Sequence, residues 1–224
     1  DGVLLIQRSA TADFRMRFFN PDGGEAEMCG NGARCAARLA HEIGAAPARM
    51  TIESGAGQLR AEAFGDRVRL QMTDPRDWRL GRSLEVDARR WAYGFVNSGV
   101  PHAVLRVERL DELDVKRIGA AIRYHPDFLP AGANADFIEV AGPSRLRIRT
   151  YERGVESETM ACGTGIVAAA LVAARSGWVA PPVRVVTRGG FELGVEFELT
   201  GETACSVILD GPAARVFEGV LTYP

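Results

Sequence analysis

The sequence predicts a mixed α/β (α+β) protein built from two copies of one folding unit. The motif CGNG at residues 29–32 recurs as CGTG at residues 162–165, and two alanines follow each motif at the same spacing. A run of alternating polar and apolar residues precedes each motif, as in a half-buried strand. A strand-like run and a hairpin signal follow it. Each copy is therefore predicted to contain a strand, a loop, a helix, a strand and a hairpin.

The elements can be placed in chain order. The first strand of each copy is predicted at residues 15–19 and 147–151, the helix at residues 31–43 and 164–176, and the hairpin turn at residues 65–66 and 200–202. Gly44 and Gly177 suit the left-handed position that ends a helix. The second helix is apolar almost all round, so we expect a sheet to wrap it. Between the copies we predict strands at residues 92–97 and 103–107 and a helix at residues 114–124, with Asp114 as its N-cap.

Composition excludes several classes of protein. The chain has 224 residues, of which 46% are apolar and 25% charged, as is ordinary for a soluble globular protein. A net charge of −2 provides no electrostatic footprint for nucleic acid or an anionic membrane. The longest apolar stretch, residues 165–174, is too short to span a bilayer. Four cysteines without a CxxC pair predict neither a disulfide scaffold nor a metal site, and they favour a reducing cytosol.

The two repeated cysteines, Cys29 and Cys162, are each predicted to lie at the N-terminus of a helix. Unpaired N–H groups and the helix dipole stabilise anions there, so we expect a lowered thiol pKa and a docking place for a substrate carboxylate. A matched thiolate and thiol would suit proton transfer to opposite faces of one carbon. The alternative is that both are inert core residues, as many free cysteines are. Cys35 and Cys205 are predicted to be small apolar fillers.

Four longer segments around these cysteines resemble signatures of the diaminopimelate epimerase family. They are NPDG leading to MCGNGAR at residues 20–34, VNSGVPH at residues 96–102, GANADF at residues 132–137, and YERG leading to ACGTG at residues 151–165. The resemblance covers nearly the whole chain. It implies two pseudo-symmetric domains, each a curled, mostly antiparallel sheet around a central helix, with the active site in the cleft between them.

The resemblance also implies an activity: interconversion of LL- and meso-diaminopimelate, a step in lysine and peptidoglycan precursor synthesis, without pyridoxal phosphate or metal. One of Cys29 and Cys162 removes the α-proton as a thiolate, and the other protonates the opposite face as a thiol. A cytoplasmic homodimer acting on a small amino-acid substrate is implied as well. The sequence leaves open which cysteine takes the proton.

Further site residues follow from matching the family motifs. His102 and Glu152 match positions that tune the thiols. The predicted substrate-binding residues are Asn20, Gly30, Asn31, Asn97, Asn134, Glu152, Arg153, Gly163 and Thr164. Glu152 fits an ammonium and Arg153 a carboxylate at the distal end of the substrate. Without the resemblance, the asparagines would be turn residues and the Glu152–Arg153 pair a solvated surface pair.

The resemblance also sets the domain limits and marks two departures. The first half-domain is predicted as residues 1–76, completed by residues 213–224 with a last strand near residues 217–222, and the second as residues 77–212. The boundary lies in the polar stretch 74–82. The family carries a GNDF-like segment, with another asparagine, ahead of where Asp1 stands. Many members have Asn where this chain has Asp136, whose charge would disfavour a nearby thiolate.

Two other functions remain possible from the sequence. A related two-cysteine racemase would act on another amino acid, but its proline-racemase relatives typically carry His where this chain has Asn31. A non-catalytic binding protein using the same cleft would be marked by loss of one cysteine, and both Cys29 and Cys162 are present.

Overall fold

The computed structural model describes residues 2–20, 22–26 and 29–220. Pro21 and Met28 of the first motif, and the end of the predicted last strand, lie outside the described residues. The chain divides into two compact units, Asp1–Leu70 with Gly211–Pro224, and Gln71–Asp210. The bounds of the sequence-based division lie a few residues further along the chain. The polar stretch 74–82, predicted to hold the boundary, largely forms a strand that begins at Arg76.

Unit 1 is a sheet with one helix on it. Its strands are β1 (Val3–Gln7), β2 (Phe14–Phe19), β3 (Glu25–Ala26), β4 (Arg49–Ser54), β5 (Gly57–Phe64) and β6 (Arg67–Gln71), and its helix is α1 (Gly30–Glu42). The described strands follow the order β1-β2-β4-β5-β6, and β3 also pairs with β2. The β2–β4 pair is parallel and the other described pairs are antiparallel. Helix α1 packs its small residues, Ala33, Ala36, Ala37 and Ala40, against this sheet.

Unit 2 repeats this plan on a larger scale. Its strands are β7 (Arg76–Val86), β8 (Arg89–Asn97), β9 (Pro101–Arg106), β10 (Asn134–Gly142), β11 (Arg145–Glu152), β12 (Ser157–Thr159), β13 (Val183–Val186), β14 (Glu192–Thr200) and β15 (Thr203–Pro212). Its α-helices are α2 (Val115–Arg123) and α3 (Gly163–Arg175). The strands follow the order β15-β14-β13-β11-β10-β9-β8-β7, and β12 pairs with the C-terminal end of β11. The described pairs β9–β10 and β11–β13 are parallel.

The two faces of the unit 2 sheet carry different helices. Helix α3 packs against six strands, and its residues from Ile166 to Ala173 are fully buried, as its apolar sequence predicts. Helix α2 covers the other face over an aromatic cluster that includes Phe95, Phe137 and Tyr151. Strand β10 therefore presents Phe137 to α2 and Asp136 to α3, because neighbouring residues of a strand point to opposite faces. None of the helices in the described parts of the chain has the length and apolar character to cross a bilayer.

Both repeated helices end in the same way, which confirms the roles predicted for Gly44 and Gly177. Each glycine has a φ of +71°. The N–H of Gly44 donates to the carbonyl of His41, and that of Gly177 donates to the carbonyl of Ala174. In each copy, the next N–H reaches one carbonyl further back, which completes a Schellman motif. The helices begin and end one residue earlier than predicted.

Two predictions about packing are wrong. Residues 217–220 form no strand, and Phe217 and Val220 are almost fully exposed because no described strand pairs with this segment. Cys35 is not an apolar filler either, since it lies on the face of α1 opposite the buried alanines and is exposed. Cys205 is half-buried on β15, with its Sγ 3.6 Å from Thr200 Oγ1.

Candidate functional site

Each repeated cysteine occupies the N-cap position of a helix. Cys29 caps α1 with φ −138° and ψ 112°, and Cys162 caps α3 with φ −115° and ψ 114°. Glycine follows each cysteine as the first helical residue, Gly30 or Gly163, and both glycines are buried. The predicted placement of both thiols at helix N-termini is therefore confirmed. Unpaired N–H groups at this end of a helix can bind an anion.

In unit 1, Gly30 and Asn31 lie in the first turn of α1, and Asn20 lies in the turn that follows β2. The Gly32 N–H donates to Cys29 Sγ at 3.4 Å. Asn31 Oδ1 accepts from the buried guanidinium of Arg34 at 2.9 Å, so its amide is held against its own helix. Asn20 is exposed at the end of β2, in a tight turn where its N–H and carbonyl bond to Gly24 and Gly23. Substrate contact by Asn20, Gly30 and Asn31 remains a prediction.

In unit 2 the register of three neighbouring strands brings the predicted residues together. The Asn134 position on β10 pairs with His102 on β9, and the Asp136 position pairs with Thr150 on β11. Glu152 follows two residues after Thr150, on the same face. Motifs that are 30 to 50 residues apart in the sequence thus meet beside the start of α3, where a Cβ atom added to Gly165 would lie 2.6 Å from Asp136 Oδ1.

A continuous chain of polar contacts runs through this cluster. His102 Nδ1 lies 2.7 Å from Asp136 Oδ2, and His102 Nε2 lies 2.9 Å from Thr164 Oγ1. Thr164 Oγ1 is in turn 3.5 Å from Cys162 Sγ. The side chains of His102 and Asp136 are both 0% exposed, and Cys162 is 7% exposed. The chain therefore links a buried carboxylate to the thiol through an imidazole and a hydroxyl.

The other predicted residues of unit 2 hold the loops around this chain. Asn134 Nδ2 donates to the Pro101 carbonyl at 2.9 Å, and its Oδ1 accepts from the Arg153 N–H at 2.7 Å. Arg153 Nη1 donates to the Ala131 carbonyl at 3.0 Å. Asn97 Oδ1 accepts from the Gly99 N–H, and the residue lines an open recess beside Trp78 and Pro101. Substrate contacts of these residues stay predictions.

Two residues of the cluster were missed by the sequence analysis. The Ser98 hydroxyl is fully buried and donates to the Thr164 carbonyl at 2.8 Å, which ties the VNSGVPH segment to the first turn of α3. The Thr150 hydroxyl donates to Asp136 Oδ1 at 2.7 Å. Ser98 lies inside a recognised motif, and Thr150 lies two residues before Glu152 on one strand face. Period-two spacing could therefore have found Thr150.

The pKa of the Cys162 thiol is opposite to the sequence-based expectation. Burial raises this pKa well above its usual range, and the charges of Glu152 and Asp136 raise it further. Hydrogen bonds from Thr164 and the Gly165 backbone act in the other direction but are weaker. The expectation that the pKa of Cys162 is lowered is therefore wrong in direction, because the surroundings of this residue favour the neutral thiol. The expected effect of Asp136 on a nearby thiolate is confirmed in direction.

Burial also acts on Glu152. It raises the pKa of the Glu152 carboxyl above its usual value, and the charge of Asp136 adds to this, while His102 works against it. A carboxyl with a raised pKa can take or give a proton closer to neutral pH than an exposed one. This agrees with a thiol-tuning role, which stays a prediction.

An arginine–glutamate pair anchors the strand that leads to each cysteine. In unit 1, Arg17 on β2 donates two hydrogen bonds to Glu25, at 2.8 and 2.6 Å. In unit 2, Arg149 on β11 donates two to Glu158, at 2.7 and 2.9 Å. Both glutamates stand four residues before their cysteine. The glutamates of the repeat therefore have an architectural role.

The two pairs differ in burial, which predicts different contributions to stability. The Glu158 side chain is 9% exposed and also contacts Arg188, whereas that of Glu25 is 42% exposed. Glu158→Gln should lower the free energy of unfolding by about 2 kcal/mol, because it leaves a half-buried Arg149 without its counter-charge. Glu25→Gln should have a much smaller effect, because solvent screens that pair. Urea denaturation of both variants checks this, and equal losses would contradict it.

The fold is shared with solved structures of low sequence identity. A probable proline racemase from Agrobacterium radiobacter K84, solved with bound carbonate, superposes with a TM-score of 0.71 at 20% identity, over 94% of this chain and 72% of that one. A Bacillus anthracis phenazine biosynthesis protein of the PhzF family gives 0.69 at 17% identity, over 94% and 81%. At these identities the likeness defines the fold class alone, which is the predicted one: two related α/β units, each with a sheet around a central helix.

Sequence comparison defines the family within that class. The chain matches the diaminopimelate epimerase family over residues 1–78 and 94–216. It is 45% identical to the diaminopimelate epimerase of Chlorobaculum tepidum over 226 residues, 99% of this chain and 85% of that protein. It is 42% identical to that of Aquifex aeolicus over 227 residues, 99% of this chain and 80% of that protein. The chain therefore belongs to the diaminopimelate epimerase family.

Proposed function

We propose that this protein interconverts LL- and meso-diaminopimelate by moving a proton at the α-carbon, without pyridoxal phosphate or a metal ion. The observation that carries this proposal is the pair of matched thiols: Cys29 and Cys162 cap equivalent helices in two related units. Membership of the family and 42–45% identity to named epimerases support the substrate. The reaction serves lysine and peptidoglycan precursor synthesis.

The proposed chemistry uses two bases. One cysteine, as thiolate, removes the α-proton, and the other, as thiol, returns a proton to the opposite face. The carbanion formed between these steps spreads its charge into the adjacent carboxylate. The N–H groups at the starts of α1 and α3 are suited to stabilise that charge, because they are fixed before the reaction begins. The raised pKa of Cys162 suits this residue to the role of the thiol that returns the proton.

The distal end of the substrate carries a second amino-acid centre. Glu152 and Arg153 have the charges to bind its ammonium and its carboxylate. Arg153 lies at the end of β11, with its backbone held by Asn134. A substrate with only one charged end would offer these two groups no opposite charges of its own. This supports diaminopimelate over a smaller amino acid.

Isotope exchange tests the proposal. The reduced protein is incubated with LL-diaminopimelate in deuterated water, and the α-deuterium content and the ratio of LL to meso isomers are followed. We expect deuterium at the α-carbon and an approach to an equilibrium mixture of isomers. A Cys29→Ala/Cys162→Ala double variant is the control. Absence of exchange in the reduced protein would contradict the proposal. Exchange with proline alone would identify a related racemase instead.

We propose in addition that the protein is a cytoplasmic homodimer, by analogy with its family. All four cysteines are free, which agrees with a reducing compartment. Light scattering coupled to size exclusion measures the mass in solution. A mass near the 24.2 kDa of one chain would contradict the homodimer.

A further inference from the structure

Asp136 is a buried charge for which the proposed chemistry gives no role. Its side chain is 0% exposed on β10. Both oxygens are occupied, since Oδ2 faces His102 Nδ1 at 2.7 Å and Oδ1 accepts from the Thr150 hydroxyl at 2.7 Å. Taking a carboxylate out of water is costly unless it is paired and hydrogen-bonded. The pairing here is with the imidazole that continues toward Cys162.

The Asp136 carboxylate determines which tautomer His102 adopts. An ionised carboxylate only accepts hydrogen bonds, so Nδ1 of His102 must carry a proton. In the neutral ring, Nε2 is then an acceptor and faces the Thr164 hydroxyl at 2.9 Å. The Asn134 amide nitrogen, 3.5 Å from Nε2, is a donor and agrees with this assignment. Thr164 donates to His102, and its oxygen is left to accept from the Cys162 thiol.

We propose that Asp136 is a positioning residue that holds His102 in this tautomer, so that His102 Nε2 can take the proton of Cys162 through the Thr164 hydroxyl. The S–H proton passes to Thr164 Oγ1 as the hydroxyl proton passes to His102 Nε2. Thr164 ends as a neutral hydroxyl, Cys162 as a thiolate and His102 as an imidazolium. No other reactant is needed, and total charge is unchanged.

Such a chain answers the difficulty that burial creates for Cys162. In one direction of the proposed reaction this thiol must act as a base, yet its surroundings favour the neutral form. An isolated thiolate would be unfavourable in this buried place. When the proton moves to His102, beside Asp136, the thiolate forms together with an imidazolium of opposite charge. The use of this thiolate in turnover rests on the proposed epimerisation. The chain of polar contacts from Asp136 to Cys162 does not depend on that proposal.

The titratable groups that surround His102 allow two opposite expectations for the removal of the Asp136 charge. Asp136 approaches it from β10, Glu152 from β11 and Cys162 from the start of α3, while β8 presents Val96 in register. If Asp136 acted on Cys162 through its charge alone, removing that charge would favour the thiolate. If it acts through His102, removing the charge disfavours the thiolate. The sign of the change therefore distinguishes the two roles.

Alkylation of Cys162 in the reduced, substrate-free full chain measures its thiolate fraction, because the thiolate is the nucleophile. The iodoacetamide rate is followed by mass spectrometry between pH 7 and 9, with the exposed Cys35 as internal reference. We expect Asp136→Asn and Thr164→Val each to slow Cys162 alkylation by roughly tenfold, a shift of about one pKa unit. Thr164→Ser keeps the hydroxyl and should retain the rate.

Faster or unchanged alkylation in Asp136→Asn would overturn the proposal, as would a loss in Thr164→Ser equal to that in Thr164→Val. In the exchange assay, Asp136→Asn should lower kcat about tenfold with little change in KM, because this carboxylate is fully buried. If the unmodified protein fails to exchange diaminopimelate, the proposed function fails. The alkylation rates still decide whether the chain exists.

Discussion

Alanine in place of Cys29 or Cys162 is expected to abolish epimerisation of diaminopimelate, with a fall in kcat of roughly 10⁴-fold. Each thiol serves one face of the α-carbon in the proposed reaction, so the remaining thiol cannot replace the missing one. It can still remove and return a proton on its own face. Each variant should therefore retain slow α-deuteration of one isomer without inversion, and the isomer should differ between the two variants.

Two matched controls come from the same chain. Cys35 is exposed on the outer face of α1 and Cys205 is half-buried on β15, so Cys35→Ala and Cys205→Ala should retain near-normal turnover. Chiral chromatography of the isomers and mass spectrometry of the α-deuterium measure both effects. Near-normal epimerisation in Cys29→Ala or Cys162→Ala would exclude the two-base scheme. Deuteration of the same isomer in both variants would contradict the assignment of one face to each thiol.

The helices and their caps were predictable because their signals are local. Gly44 and Gly177 end α1 and α3 with left-handed backbone, which needs no tertiary information. The same pattern occurs twice in the sequence, so the placement of Cys29 at the start of a helix supported the equivalent placement of Cys162. The strands that precede the cysteines were predictable from their period-two alternation.

The electrostatics of the site could not be predicted in this way. The effect of a helix N-terminus on a thiol is a local property, but the burial of Cys162 and the charges of Glu152 and Asp136 are tertiary properties. These carboxylates come from two neighbouring strands whose register is set by the whole sheet. Burial and charge together exceed the local helix effect, so the sign of the expected pKa change was wrong.

The two units have diverged around a common frame. Arg17–Glu25 and Arg149–Glu158 are equivalent pairs, yet only the second is largely shielded from water. Asn31 is bound by Arg34 of its own helix, while Thr164, at the equivalent place, faces His102 from another strand. The polar chain is therefore a feature of unit 2, built from side chains that the repeat does not predict.

Gly165→Ala is expected to cause the other large loss, by disturbing this chain sterically. A Cβ at Gly165 would lie 2.6 Å from Asp136 Oδ1 and 3.3 Å from His102 Cε1. Asp136 cannot retreat without breaking its bonds to His102 or Thr150. We expect the free energy of unfolding to fall by about 2 kcal/mol, as for overpacked cores. We expect kcat to fall by roughly 10²-fold, since His102 would no longer be aligned.

Gly32→Ala is the matched control for stability, because Gly32 is the same residue of the repeat in unit 1. A Cβ there meets Leu4 Cδ1 at 3.3 Å and Cys29 Cβ at 3.4 Å, and the end of the leucine side chain can move. Alanine also favours a helix over glycine by about 1 kcal/mol, so Gly32→Ala should leave stability unchanged or raise it. The same preference acts at residue 165. Urea denaturation of both variants thus isolates the cost of contact with Asp136, and equal stability of the two would mean that Asp136 is not rigidly held.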